Sequence, residues 1–243
     1  MPKYGPHLPD IKKKVRDKLA ELDLTPAYVF DPGRHQERFY TVRCQDKENR
    51  RVVFKMRTED FAQTKEAFRR EIRINRLFTE FYQRGRTLAV PRFITGESES
   101  VPEWMVYEFI PGKEAGDFYN GILPENFGKI SLPSLIAGMK SMRGMSVFAE
   151  GRVRLETHGF EKFKQSYGKY GPVLRPFMSD AALAVGARIL ESGAGLLDKE
   201  SGVIAHGDFH PGNLVIAPEG KIAIIDWYYV QRSNAAFDIA FLY

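Results

Sequence analysis

The stretch HGDFHPGN, residues 206–213, places two histidines, an aspartate, a Pro-Gly pair and an asparagine within eight positions. His206, Asp208 and His210 alternate, so on an extended strand all three side chains would point to the same side, as metal ligands can. The Pro-Gly pair instead favours a type II turn, in which the glycine takes a positive φ. Such a turn would reverse the chain and let Asp208 and Asn213, five positions apart, face one point.

A third acidic group follows shortly along the chain. The segments NLVIA and KIAIID are joined by PEG, a pattern that predicts a β-hairpin ending at Asp226, eighteen residues after Asp208. The hairpin could return Asp226 to the side of the loop. Mg²⁺ prefers oxygen ligands of this kind and completes its shell with phosphate and water. In phosphoryl transfer, Asp208 would take the proton of the acceptor hydroxyl, while Asn213 and Asp226 would hold the metal.

Together these motifs resemble a known family. HGDFHPGN followed by IIDW is similar to the paired signature of the aminoglycoside phosphotransferase/choline kinase family, and NAAFDIAF resembles its Asp-Leu-Ala element, which implies a structural role for Asp238. The resemblance implies an α+β, protein-kinase-like fold of two lobes. It also implies transfer of the γ-phosphoryl group of ATP to a hydroxyl of a small molecule, an antibiotic or a metabolite.

The lobes are predicted from the change of pattern along the chain. A β-rich N-lobe with one long helix covers residues 1–110, and a mainly helical C-lobe covers 111–243. The strands AYVF, RFYTVRC and RRVVFKMR are expected to form an antiparallel meander, followed by a helix over 61–83 and two further strands. Because members of the family continue past the Asp-Leu-Ala element, the C-lobe is expected to be truncated.

The family needs a lysine on the third strand and a carboxylate on the next helix. RRVVFKMR supplies Lys55, and the helix offers Glu66 and Glu71. Glu71 lies within the apolar stripe, whereas Glu66 lies among arginines on the polar side; the stripe is formed by Ala67, Phe68, Ile74 and Phe78. A buried carboxylate needs a partner, and Lys55 is the candidate. We therefore assign Lys55 and Glu71 to nucleotide binding.

The remaining nucleotide contacts come from the resemblance alone. It places the adenine at WMVYEFIPG, where the carbonyl of Glu108 and the N–H of Ile110 would bind the base edge, with Tyr107 beside it. The turn DPGRHQERFYTV contains only Gly33 where protein kinases have a glycine-rich loop, so the contacts of this loop stay unassigned.

Composition limits the remaining function classes. The net charge of +5 is dispersed, which argues against nucleic acid as a partner, and no apolar run is long enough for a membrane span. With Cys44 as its one cysteine, the chain has no internal disulfide and is predicted to be cytoplasmic. The acceptor and the oligomeric state stay open. Three rival functions are a nucleotide-binding pseudokinase, a metal-dependent hydrolase using His206, Asp208 and His210, and a protein kinase.

Overall fold

The computed structural model describes residues 8–29, 38–82, 90–97, 103–117, 121–126, 130, 133, 142–162, 164–165, 168–169, 175–176, 179–195, 202–218, 222–234 and 238. The chain forms two compact units. The first comprises Met1–Lys113 and Val215–Tyr228, and the second comprises Glu114–Leu214 and Tyr229–Tyr243. The first unit thus contains two separate stretches of the chain, and the second of them carries Asp226.

An antiparallel sheet forms the centre of the first unit. Its strands stand in the order β1-β2-β3-β5-β4 and are β1 (Thr25–Val29), β2 (Phe39–Gln45), β3 (Arg51–Arg57), β4 (Phe93–Gly96) and β5 (Trp104–Glu108). Helix α1 (Leu8–Glu21) precedes the sheet, and helix α2 (Ala62–Tyr82) connects β3 to β4. The predicted meander and the predicted long helix are therefore present.

The two faces of this sheet pack against different cores. On β3, Val52, Phe54 and Met56 join a cluster with Val15 and Leu19 of α1. Since side chains alternate along a strand, Lys55 points to the opposite face. That face carries a second cluster formed by β2, β5, α2 and Tyr228; its buried members are Phe39, Ala67, Phe68, Ile72, Met105 and Tyr228.

Two short strands complete the first unit. Strands β11 (Leu214–Ile216) and β12 (Ile222–Ile224) are neighbours in a small sheet, as the hairpin pattern predicts. Ile222, Ala223 and Ile224 are all buried, which anchors the chain directly before Asp226. The PEG turn that joins the two strands lies largely outside the described residues.

The second unit combines helices with very short strands. It contains a helix at 142–148, here α3, and α4 (Asp180–Ser192). Strand β13 (Gln231–Ser233) lies between β10 (Val203–Ala205) and β9 (Thr157–His158). Strands β6 (Lys113–Glu114), β7 (Gly116–Asp117) and β8 (Gly121–Ile122) lie where the chain enters this unit.

Within the described ranges, no helix is both long enough and apolar enough to cross a membrane.

Candidate functional site

The first unit holds a buried lysine between two carboxylates. Nζ of Lys55 lies 2.8 Å from Oε1 and 2.9 Å from Oε2 of Glu71, and 2.9 Å from Oδ1 of Asp226. The side chains of Lys55 and Glu71 are 5% and 2% exposed, whereas Asp226 is 41% exposed. Strand β3 supplies the lysine, α2 supplies Glu71, and the turn after β12 supplies Asp226.

Charge and aromatic contacts keep this lysine protonated. Burial by itself would lower the pKa of Lys55, but the attraction of Asp226 and Glu71 outweighs burial and raises it. Burial raises the pKa of Glu71, and the Lys55 ammonium opposes that shift. The ammonium also lies 4.4 Å from the ring centroid of Phe39 and 5.9 Å from that of Tyr228. The site therefore contains a lysine that stays protonated and is contacted by two carboxylates.

A local backbone feature positions Asp226. This residue has φ +61°, in the left-handed region, where aspartate is tolerated better than most residues. The following Trp227 is 1% exposed and donates its indole N–H to the carbonyl of Ile224. Its ring packs edge-on against that of Phe78 of α2, with the ring centroids 4.5 Å apart. The buried indole thus holds the strained turn and directs Asp226 towards Lys55.

The 206–213 loop reverses direction in the second unit, but by a different turn from the one predicted. Residues Pro211–Asn213 form a 3₁₀ turn, closed by the Asn213 N–H donating to the carbonyl of His210 at 2.9 Å. Among the described glycines, positive φ occurs at Gly151 and Gly207 and not at Gly212. The type II prediction is wrong because Nδ1 of His210 accepts the Gly212 N–H at 3.1 Å, and this contact stabilises the 3₁₀ conformation.

The start of the same loop is fixed by Asp238. Its carboxylate accepts the backbone N–H of His206 at 2.7 Å and that of Gly207 at 3.0 Å. Burial raises the pKa of Asp238 to about 6, against the effect of these two N–H groups. Nδ1 of the buried His206 accepts the N–H of Asp208 at 3.3 Å. His206 therefore braces the loop from within, as expected for a structural residue.

Asp208 and Asn213 are brought together by this turn. Nδ2 of Asn213 donates to the carbonyl of Asp208 at 2.8 Å and lies 3.4 Å from its Oδ2. Asp208 is partly exposed and Asn213 is buried. In the part of the chain that the structure describes, no group of three or more histidine, cysteine or acidic side chains is arranged to hold a metal ion. The alternating histidines thus do not form such a cluster with Asp208.

The predicted adenine-binding segment continues from β5. The N–H of Glu108 donates to the carbonyl of Arg92, and the N–H of Phe109 donates to the carbonyl of Arg51. Successive backbone groups therefore face alternate sides, towards β4 and then towards β3. Tyr107 packs against the cluster on the Lys55 side of the sheet.

The site residues predicted from the sequence thus fall into two groups. Lys55 contacts both Glu71 and Asp226 in the first unit, and Asp208 and Asn213 are in contact in the second. Their convergence on one metal–phosphate centre stays a prediction. No pattern in the sequence indicates the ion pair between Lys55 and Asp226, because these residues are 171 positions apart and no periodicity relates them.

Several solved structures that are similar to this chain in fold are phosphotransferases. The macrolide 2'-phosphotransferase MphH from Brachybacterium faecium is 16% identical with a TM-score of 0.66, covering 95% of this chain and 76% of its own. An aminoglycoside 2'-phosphotransferase-IIIa mutant in complex with GDP is 14% identical, with a TM-score of 0.67 and the same coverage. Choline kinase LicA from Streptococcus pneumoniae is 17% identical with a TM-score of 0.55, covering 96% of this chain and 74% of its own.

The family assignment follows from the sequence profile. The model of the phosphotransferase enzyme family, APH, matches residues 31–243, and the chain belongs to this family. A comparison with curated proteins found no match. The predicted family, the α+β kinase-like fold and the assignment as a phosphotransferase are therefore confirmed.

Proposed function

We propose that this phosphotransferase moves the γ-phosphoryl group of ATP to a hydroxyl of a small molecule, with Mg²⁺ as cofactor and Asp208 as the general base. The observation that carries the proposal is the buried Lys55 ammonium, held by Glu71 and Asp226 in a chain of this family. A buried, permanently charged lysine with an anionic support is suited to binding nucleotide phosphates. ATP is the proposed donor; the neighbours include complexes with GDP and with ADP.

The three groups around this ammonium have different roles in the proposal. Glu71 is almost fully buried and lies on the rigid helix α2, so it keeps Lys55 in place. Asp226 is 41% exposed, so it is the carboxylate that can exchange its lysine contact for a metal ion. Lys55 would then turn its remaining N–H donor to the α- and β-phosphates.

The residues present fit a magnesium ion. Asp226 offers a carboxylate that is accessible to solvent, and Asn213 offers an amide oxygen. Both are hard oxygen donors of the kind that Mg²⁺ prefers. Asn213 is held by the donation of its amide nitrogen to Asp208, which fixes the orientation of the whole amide. The ion, when bound, neutralises charge on the phosphate groups.

Asp208 and the end of β5 complete the proposed arrangement. The carboxylate of Asp208 would orient the acceptor hydroxyl and take its proton. At the other end of the nucleotide, the alternation of backbone groups seen at Glu108 and Phe109 is expected to continue, so that the carbonyl of Glu108 and the N–H of Ile110 would face the same side, away from β3. An acceptor and a donor facing one side can bind the edge of an adenine, which presents both types of group.

The rival functions have less support. A hydrolase using His206, Asp208 and His210 would need both histidine rings as ligands, yet Nδ1 of each accepts a backbone N–H within the loop. A protein acceptor is disfavoured by membership of the family. A pseudokinase would retain the fold without catalysing phosphoryl transfer. In this chain, however, each position to which the proposal assigns a polar side chain carries one.

The experiment measures ATP consumption by the wild type with aminoglycosides, macrolides, choline, homoserine and sugars as acceptors. Asp208→Asn is expected to bind nucleotide with an affinity within about threefold of wild type and to transfer phosphate about 10²–10⁴ times more slowly. Asp180→Asn is the matched control, because Asp180 is an exposed carboxylate of the same unit.

Two results would contradict the proposal. A wild type that binds nucleotide but consumes ATP with no acceptor, water included, supports the pseudokinase. Loss of metal binding in His210→Ala, with metal binding retained in Asp226→Ala, supports the hydrolase. Isothermal titration with Mg²⁺ in the presence of a non-hydrolysable ATP analogue distinguishes the second case.

A further inference from the structure

Helix α2 carries three polar residues along one side. Glu71, Asn75 and Thr79 follow one another at intervals of four residues, and side chains at this spacing are neighbours on a helix surface. Glu71 and Asn75 are almost fully buried, and Thr79 is partly buried. Buried polar groups are normally hydrogen-bonded, and Lys55 meets that requirement for Glu71. The hydrogen bonds of Thr79 connect the other end of this row to the sheet.

The hydroxyl of Thr79 joins α2 to strand β4. Its Oγ1 accepts the backbone N–H of Phe93 at 2.7 Å and donates to the carbonyl of Asn75 at 2.9 Å. The second bond uses the hydroxyl proton, which leaves the lone pairs of Oγ1 for the strand. Phe93 is the first residue of β4, and β4 lies at the edge of the five-stranded sheet. Because an edge strand has no neighbour on its outer side, the hydroxyl takes the place of a strand partner.

This end of β4 is linked through the sheet to the strand that carries the buried lysine. Phe93 pairs with Tyr107 of β5, and Tyr107 pairs with Val53 of β3. Val53 precedes Lys55 by two residues on the same strand. The strand to which Thr79 is bonded and the strand that supplies the lysine therefore belong to one hydrogen-bonded sheet.

Helix α2 is thus attached to this sheet at two points. Glu71 bonds to Lys55, and Thr79 bonds to Phe93. Eight residues, or about 12 Å along the helix axis, separate the two points. A helix held at both points can neither rotate about its axis nor slide without breaking one of the bonds. When the bond at Thr79 is lost, the helix can turn about the other contact, so the position of the Glu71 carboxylate depends on Thr79.

Phe93 provides a firm anchor because its ring is packed on more than one side. The guanidinium carbon of Arg76, also on α2, lies 4.9 Å from the ring centroid, and Nη2 of Arg76 lies 3.4 Å from the carbonyl oxygen of Glu97. A Cβ added to Gly96 would lie 3.1 Å from Cζ of Phe93, so the ring packs directly on the backbone of Gly96. These contacts hold the start of β4 against the helix.

We propose that Thr79 is a positioning residue for nucleotide binding: its hydroxyl fixes α2 against β4 and thereby keeps the carboxylate of Glu71 on the ammonium of Lys55. The inference rests on the proposed function, because it needs Lys55 to bind the phosphates of the nucleotide. It assigns to a side chain that is remote from the nucleotide an effect on affinity that acts through Glu71.

Four variants test this role. Thr79→Val keeps the shape of the side chain and removes the hydroxyl, whereas Thr79→Ser keeps the hydroxyl. Ile74→Val is the control for stability, because Ile74 is fully buried on the same helix and the substitution removes one methylene without removing a hydrogen bond. Glu71→Gln, alone and combined with Thr79→Val, tests whether Thr79 acts through Glu71. The readouts are the melting temperature and the affinity for a fluorescent ATP analogue, measured well below the melting transition.

The proposal predicts different effects on stability and on affinity. Thr79→Val and Ile74→Val should each lower the melting temperature by about 2–4 °C. Only Thr79→Val should weaken binding of the ATP analogue, by at least about fivefold, and Thr79→Ser should bind within about twofold of wild type. In the Glu71→Gln background, the substitution Thr79→Val should change the affinity by less than about twofold, because the carboxylate that it positions is already absent.

Three results would overturn the role of Thr79. The first is an unchanged affinity in Thr79→Val, and the second is an equal loss of affinity in Ile74→Val, which would mean that affinity follows stability. The third is an equal loss from Thr79→Val with and without the Glu71 carboxylate. Should Glu71→Gln not fold, the comparison of Val, Ser and the Ile74 control still decides. A wild type that does not bind the ATP analogue would instead overturn the proposed function itself.

Discussion

Inside the first unit, the ammonium of Lys55 forms an ion pair with both carboxylate oxygens of Glu71: Nζ lies 2.8 Å from Oε1 and 2.9 Å from Oε2. Both side chains are almost completely removed from solvent. In such a setting the attraction between the two charges offsets the free energy of removing them from water. When one partner is lost, the desolvation of the remaining buried charge is no longer compensated and lowers the stability of the fold. The pair therefore affects stability as well as nucleotide binding.

Substitution of Glu71 by alanine is expected to lower the free energy of unfolding by about 3–5 kcal/mol, because Lys55 would stay buried with only Asp226 as a charged partner. Urea denaturation followed by tryptophan fluorescence measures the change. Glu66→Ala on the same helix is the matched control, since Glu66 is about half exposed and pairs with Arg69 on the surface. It is expected to change stability by less than about 0.5 kcal/mol. Equal effects of the two substitutions would contradict the assignment of Glu71 as the supporting carboxylate.

The double substitution Lys55→Met with Glu71→Leu separates stability from function. Replacing both members of a buried ion pair by apolar residues of similar volume is often neutral or stabilising. We expect the double variant to recover most of the stability lost in Glu71→Ala. Nucleotide affinity, measured with a fluorescent ATP analogue, should fall by at least about tenfold because the phosphate-binding charge is gone. A double variant that binds nucleotide normally would exclude Lys55 from the proposed role.

Gly207 and Gly151 offer a comparison between two glycines with positive φ, +81° and +71°. A Cβ at Gly207 would lie 2.2 Å from the carbonyl oxygen of Tyr229, whereas a Cβ at Gly151 would meet nothing within 4 Å. Gly151→Ala should lower the free energy of unfolding by about 1 kcal/mol, the cost of placing an alanine at a positive φ. Gly207→Ala should cost at least about 2 kcal/mol more, because the chain next to Asp208 must move. Chemical denaturation checks both values, and equal losses would show that the close approach to Tyr229 is unimportant.

The sequence predicted those parts of the fold that a local pattern encodes. Alternating apolar residues and turn formers marked the meander, and the helical period placed Glu71 on the buried side of α2 and Glu66 on the polar side. The hairpin of β11 and β12 was readable because PEG separates two apolar runs. In each case the signal lies within a few residues of the element that it describes.

Features that depend on individual side-chain contacts, or on very short elements, could not be predicted in this way. The turn at Pro211–Asn213 was assigned the wrong type because Pro-Gly permits several turns, and the choice depends on the His210 ring accepting the Gly212 N–H. The bond between Asp226 and Lys55 depends on a left-handed residue held by a buried tryptophan. Strands of two or three residues, such as β7, β9 and β13, are too short to show a period of two.

Cys44 provides a probe of the first unit. Its thiol is fully buried on β2, and burial raises its pKa to about 11. Because the thiolate is the reactive form, a thiol reagent at pH 8 is expected to label the native protein at least about a hundred times more slowly than the urea-unfolded chain. The chain has no other cysteine, so the extent of labelling reports on Cys44 alone. Rapid labelling of native protein would show that the cluster between α1 and the sheet opens readily.

Asp238 makes a pH-dependent contribution to stability. Its carboxylate binds the N–H groups of His206 and Gly207, but burial dominates and raises its pKa to about 6, from 3.8 in the unfolded chain. Between these two values the folded state binds more protons than the unfolded state, so the contribution of Asp238 to stability falls as pH rises from about 4 to about 6. The fall approaches about 3 kcal/mol, since each pKa unit corresponds to about 1.4 kcal/mol.

The pH prediction is checked by urea denaturation of the wild type and of Asp238→Asn at several pH values between about 4 and 7. Asparagine cannot ionise and keeps one acceptor for the two N–H groups, so the variant should be less stable than the wild type at the acid end of this range. The difference between the two should shrink as the pH rises, because only the wild type acquires a buried charge. Asp180→Asn, at an exposed carboxylate of the same unit, should show no comparable trend. A difference that grows with rising pH would mean that the two N–H groups outweigh burial at Asp238.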